Sequence, residues 1–197
     1  GRLWRRKVAE SVAVPFEIVD ADVVVPSAPV PKEEFAARTL RPKLLKIRDS
    51  FLVASSNAKA GKTWTQPAIP GSEPIDADVL MERLNVGGVG EVPDYKGGPH
   101  EAESRLLTFI TERLHAYDTD RNEPVPYMTS ELSAHLHFGQ ISPIRIALAV
   151  IGAEAPEVAK AAYLEELIVR RELSINYVAR NPNYDKLAGC PNWSLAT

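Results

Sequence analysis

Residues 156–182, PEVAKAAYLEELIVRRELSINYVARNP, run from one proline to another with no Pro or Gly between them. That predicts one long helix and commits the C-terminal part of the chain to helix-on-helix packing. On an ideal helix of about 100° per residue, Glu165, Glu172 and Asn176 fall in one narrow arc, the expected solvent face. Glu166 and Arg170 fall between Val169 and Leu173 on one side and Tyr163 and Leu167 on the other. Arg171 falls between Leu164 and Val178. Two readings are open. Glu166 precedes Arg170 by four residues, the favoured order for a helical ion pair. Alternatively, the embedded charges face a polar cavity and are partnered by a ligand.

The remaining segments also read mainly as helix. HEAESRLLTFITERLHAY (100–117) places Leu106, Leu107, Ile110 and Leu114 on one face. In ISPIRIALAVIG (141–152), Ser142 is an N-cap, Pro143 the first helical residue and Gly152 the stop. Residues 1–14 predict a short helix with a basic pair, Arg5 and Arg6, and 32–52 a helix interrupted at Pro42. FEIVDADVVVP (16–26) alternates and is rich in Val and Ile, so a strand is predicted there. A lone strand needs partners. With the absence of an initial Met, this suggests a piece of a longer protein. From about 54 to 100 the pattern is weak, and GKTWTQPAIPGSEP and NVGGVGEVPDYKGGP within it are loop chemistry. Gly87, Gly88 and Gly90 form no phosphate-binding fingerprint, since no Lys-Ser/Thr comes after them and no strong strand precedes.

Apolar residues make up 45% of the chain, enough for a packed core. The net charge of −3 does not advertise a generally basic, nucleic-acid-binding surface. No apolar run reaches membrane-spanning length. The single cysteine, Cys190, excludes an internal disulfide and fits a reducing compartment, so an intracellular location is expected, cytoplasmic or nuclear in a eukaryote.

A second dense stretch is YDTDRNEPVPYMTSELSAHLHFGQIS (117–142). Thr129, Ser130 and Ser133 gather hydroxyls around a predicted helix start, either as an ordinary N-cap or as an anion site. His135 and His137 are two apart, hence on different helix faces, and with one distant cysteine no metal site is expected.

Together with VDADVVVP, FAARTLRPKL, YLEELIVRRELSINY and YDKLAGCPNWSLAT, this stretch resembles the class II cyclobutane pyrimidine dimer DNA photolyases, in order and spacing. The resemblance reaches from about residue 16 to the C-terminus and is loose over 53–98. It implies a mainly α chain: the first half of a helical FAD-binding domain, preceded by the C-terminal end of an α/β (Rossmann-like) antenna domain. Residues 1–53 would be the end of the antenna domain and its exit helix, 54–98 an interdomain linker and 99–197 the N-terminal part of the FAD domain.

The family repairs UV-damaged DNA. Fully reduced FAD, excited by light, passes an electron to a dimer flipped out of the duplex. The intact protein is expected to allow an antenna chromophore as well. The resemblance implies that Tyr117, Thr129, Ser130, Leu132, Ser133 and Arg170 contact FAD, and that Glu166 is the catalytic contact to the damaged base. Arg171 and Arg180 are candidate DNA contacts, against an ordinary solvated surface. Glu131 departs from the expected pattern, because a carboxylate beside a diphosphate would repel it unless it points away. Val169 stands where photolyases of other classes often carry Trp, which favours the class II comparison. A cryptochrome-like photoreceptor without repair and an inactive helical piece are the competing readings.

Overall fold

The computed structural model describes residues 2–55, 61, 76–85, 88, 90, 92–125 and 127–195. The loop expected over 61–74 lies outside these residues apart from Gly61, and so does Gly87. Helix α1 spans Arg2–Ser11 and α2 Ala37–Ile47. A short α3, Ala77–Leu84, comes next, then α4, Pro99–Thr108. The α4 helix widens into a π-helical stretch, Phe109–Arg113, and reaches α5, Tyr117–Asp120. Beyond it lie α6, Ser133–His137, and α7, Pro143–Ile151. The last long run is α8, Glu157–Leu164, a second π stretch, Glu165–Arg170, and α9, Arg171–Arg180.

Several expectations hold locally. The Ser142 hydroxyl accepts from the Ile144 amide at 3.2 Å, Pro143 opens α7, and Gly152 closes it. The two prolines bound a continuous helical run, as the sequence implies. Other expectations are corrected. Helix α2 passes through Pro42 without interruption. Pro42 cannot donate to the Arg38 carbonyl, but burial of Ala37, Leu40 and Leu44 along one face holds the helix together. Helix α3 lies where the sequence pattern is weak. The Asp76 carboxylate accepts from the Asp78 and Val79 amides, and left-handed Asn85 ends the helix, both cap signals present in the sequence.

No strand occurs among the described residues, so the strand expected over 16–26 is not formed. Val23, Val24 and Val25 are buried, but in a non-repeating segment that lies on α9. Side chains there, in place of a ladder, partner the amides of Val24 and Val25. Glu172 Oε1 accepts from them at 2.8 and 3.0 Å. Asn176 accepts from the Glu34 amide at 2.8 Å and donates to the Lys32 carbonyl at 3.0 Å. The arc predicted to face solvent is therefore an internal seam, with Glu172 and Asn176 each 4% exposed.

The face expected on 100–117 also changes. Leu107 is exposed, and Ala102, Leu106, Phe109 and Leu114 form the buried side. Ala102, Leu106 and Phe109 follow each other at spacings of four and three, so they share one face of α4, and Leu107 is turned about 100° away from Leu106. One apolar core runs from Val24, Val25, Leu40 and Leu44 to Leu106, Phe109, Ile146 and Ile168.

Candidate functional site

The second π stretch lines, through Glu166 and Leu167, a cavity of about 760 Å³. That is within the range of small-molecule sites, roughly 300–1,000 Å³. Its floor is aromatic. Phe109 meets Tyr163 at 4.5 Å between ring centroids and Tyr117 at 5.7 Å. Tyr117 and Tyr163 pack edge to face at 5.1 Å, an arrangement that aromatic quadrupoles favour. The Tyr163 hydroxyl donates to Ser130 Oγ at 3.1 Å. Burial foremost pushes Tyr163 up to about 12, so it stays a neutral donor at ordinary pH. Tyr117 is also raised, by burial first and then by the charge of Glu166.

The polar wall comes from the stretch that enters α6. Thr129, Ser130 and Ser133 line the cavity. None of them caps α6, whose N-cap position, Leu132, makes no side-chain cap bond. The ordinary N-cap reading is thereby set aside, and the hydroxyls remain at the cavity wall. Glu131 also lines the cavity and does not point away from it. Its carboxylate is paired with Arg113 at 2.7 Å and Arg105 at 3.5 Å, while Arg113 also donates to the Thr129 carbonyl at 3.0 Å. Among the described residues, a left-handed backbone at a non-glycine residue occurs at Asn85, Asp94 and Glu131.

Glu166 and Arg171 approach the cavity from the opposite stretch of chain. Glu166 is half-buried and has no ion-pair partner among the described residues. The helical pair expected with Arg170 is not formed. Arg170 lies instead 3.6 Å from Glu165, which Arg41 holds through two bonds of 2.6 and 2.9 Å.

The structure therefore gathers Tyr117, Thr129, Ser130, Ser133, Glu166 and Arg171 around one space. Three sequence candidates lie elsewhere. Leu132 is fully buried in the core, and Arg170 points to solvent beside Glu165. Arg180 donates to the carbonyls of Val30 and Ser27, tying α9 to the N-terminal segment. Arg171 has a similar anchor, donating from Nε to the Asp22 carbonyl at 2.9 Å, yet it still borders the cavity.

Tyr95 and Tyr127 complete the wall, and neither was singled out from the sequence. The loop chemistry around Tyr95 concealed it; the only cue was an aromatic residue in a Gly- and Pro-rich run. A second groove of about 720 Å³ lies between α2 and α8, but its polar groups are already paired, as in Arg41–Glu165 and Lys160–Glu157. His135 is buried, with Nδ1 hydrogen-bonded to Gln140 Oε1 at 2.6 Å and Nε2 without a partner, whereas His137 is exposed. Among the described residues no His, Cys, Asp and Glu cluster is arranged to hold a metal ion, and no helix is long and apolar enough to cross a membrane.

Fold and site define a helical module built around an aromatic-floored, hydroxyl-walled cavity of ligand size. Over nearly its whole length the chain is similar to deoxyribodipyrimidine photolyases. It is 37% identical over 202 residues to a deoxyribodipyrimidine photo-lyase of Oryza sativa subsp. japonica, a match covering 98% of this chain and 39% of that protein. The corresponding protein of Arabidopsis thaliana is 36% identical over 201 residues, covering 96% and 39%. That of Methanothermobacter thermautotrophicus is 34% identical over 196 residues, covering 98% and 42%. The chain thus spans about two fifths of the length of these curated relatives. No family model matches it.

Proposed function

We propose that this chain is the cofactor- and lesion-facing part of a light-driven enzyme of the class II type that splits cyclobutane pyrimidine dimers in DNA. The observation that carries the reading is the joint lining of one cavity by Tyr117, Thr129, Ser130, Ser133 and Glu166, drawn from stretches far apart in sequence. The cavity chemistry fits FAD. Tyrosine faces suit a planar ring system, and neutral hydroxyls beside a carboxylate already paired with arginine suit a diphosphate. Bound in its fully reduced form, FAD supplies on illumination the electron that opens the cyclobutane ring.

The residues of the chain do the rest. Tyr117 and Tyr163 form the apolar floor and exclude water. Thr129, Ser130 and Ser133 donate hydrogen bonds to phosphate oxygens. Glu166 hydrogen-bonds the flipped-out base and holds it within reach of the electron donor. Arg171 offsets the charge of the DNA backbone at the mouth, with Arg180 further along the same helix. Leu132 supports the hydroxyl wall from behind, and Arg170 offers a cation on the solvent side of the same stretch. An antenna chromophore belongs to the wider protein.

The test is an absorption spectrum of the purified chain, acid release of bound flavin, and repair of UV-irradiated oligothymidylate under blue light. Stoichiometric FAD is expected, with repair that Glu166→Ala abolishes while flavin is retained. Flavin without repair would favour a photoreceptor role, and absence of flavin would remove the chain as a cofactor carrier.

A further inference from the structure

Tyr95 lies in the stretch that the family resemblance implies is an interdomain linker, yet it forms part of the cavity wall. Several contacts fix it there. Its hydroxyl donates to the Glu131 carbonyl at 2.6 Å. Its ring stacks on His135 with centroids 5.2 Å apart and planes 23° from parallel. The Arg105 guanidinium lies 4.2 Å from the ring centroid and also donates to the adjoining Asp94 carbonyl at 3.0 Å.

The acceptor, Glu131, is held at both ends. Tyr95 takes its carbonyl, and Arg113 and Arg105 take its carboxylate. Its φ of 57° lies in the left-handed region, which a residue with a Cβ adopts only when its surroundings impose it. This turn carries the chain from Thr129 and Ser130 to Ser133, so its geometry sets where the three hydroxyls point.

We infer that the Tyr95–Glu131 contact is a latch that sets the hydroxyl wall, making Tyr95 a positioning residue that selects a diphosphate-bearing dinucleotide over the bare ring system. The inference rests on the flavin reading of the cavity. Its two halves are tested separately. In the ligand-free chain, hydrogen exchange of amides 129–133 is compared between wild type and Tyr95→Phe, which removes only the hydroxyl. Binding of FAD and of riboflavin is then titrated by fluorescence for both proteins.

Loss of one hydrogen bond predicts roughly fivefold faster exchange at 129–133 and roughly fivefold weaker FAD binding. Exchange in α7 to α9 and riboflavin affinity stay as in wild type. Unchanged exchange overturns the latch. Equal weakening of FAD and riboflavin overturns the selective role and reduces Tyr95 to structural support. A wild-type chain that binds neither flavin refutes the flavin reading and the selective role with it, while the exchange data still decide the latch.

Discussion

Arg170 pairs with Glu165, five residues back, and not with Glu166, four residues back. The wider π turn over Glu165–Arg170 brings residues at that spacing together. The pair leaves Glu166 facing the cavity. It also predicts that Arg170 contributes little: its side chain is 56% exposed, so Arg170→Ala should change stability by no more than about 0.5 kcal/mol. Glu165→Ala, which also loses both bonds to Arg41, should lower Tm visibly more. Parallel thermal melts check the ranking, and a larger loss for Arg170→Ala would contradict it.

Glu172 predicts a pH dependence. Burial foremost raises its carboxyl from 4.5 to about 7, against the opposing effect of the Val25 and Val24 amides. Its Oε2 is buried without a partner. Between these two values the folded state holds a proton that the unfolded state has lost. The contribution of this group to stability should therefore be greatest below about pH 4.5 and fall as pH rises to about 7, by something on the order of 2–3 kcal/mol. Glu172→Gln keeps an acceptor for the two amides and should flatten that slope. Urea unfolding at pH 5 and pH 7.5, for both proteins, measures it.

Phe109 is fully buried between Tyr117 and Tyr163. Phe109→Ala should cost about 3–5 kcal/mol in chemical denaturation. It should also loosen the cavity floor, seen as faster exchange or altered ring resonances at both tyrosines. A cost below about 1 kcal/mol would mean the site collapses around the gap.

Glu131 separates backbone from ion pair. Glu131→Gly and Glu131→Ala both lose the arginine partners, but only Gly relieves the left-handed backbone. The Gly variant should be the more stable of the two by about 1 kcal/mol. Equal urea midpoints would show that the turn relaxes when the side chain is removed.

Tyr163→Phe removes the donor to Ser130 Oγ and should cost about 1 kcal/mol. In wild type, ultraviolet titration should show one tyrosine ionising only near about 12, and this component should vanish in the variant.

The sequence made α7 legible to the residue, because Ser142, Pro143 and Gly152 are local signals that tertiary contacts did not oppose. It also made the cavity legible in part. Hydroxyls at 129, 130 and 133 and a charged, apolar helix at 164–173 are dense enough to mark a site. Tyr95 was not legible, since its role depends on Glu131, His135 and Arg105, all distant in sequence. Leu107 and the arc of Glu165, Glu172 and Asn176 were misplaced for a different reason. A helical wheel shows which residues share a face but not what covers it: Glu172 and Asn176 do share a face of α9, and the segment around Val24 and Glu34 covers it, while Leu107 is on the uncovered side of α4.

The sequence by itself determined that the chain is mainly helical, where most of its long helices start and stop, and which proteins it resembles, because capping, periodicity and local motifs act over a few residues. Only the tertiary structure decided that Val23–Val25 form no strand and that Glu172 and Asn176 serve as an internal seam. It alone decided, too, that Glu166, and not Arg170, borders the cavity. These outcomes depend on which distant backbone amides need an acceptor and on how far a π turn rotates the next helix, and neither is written in any short stretch of residues.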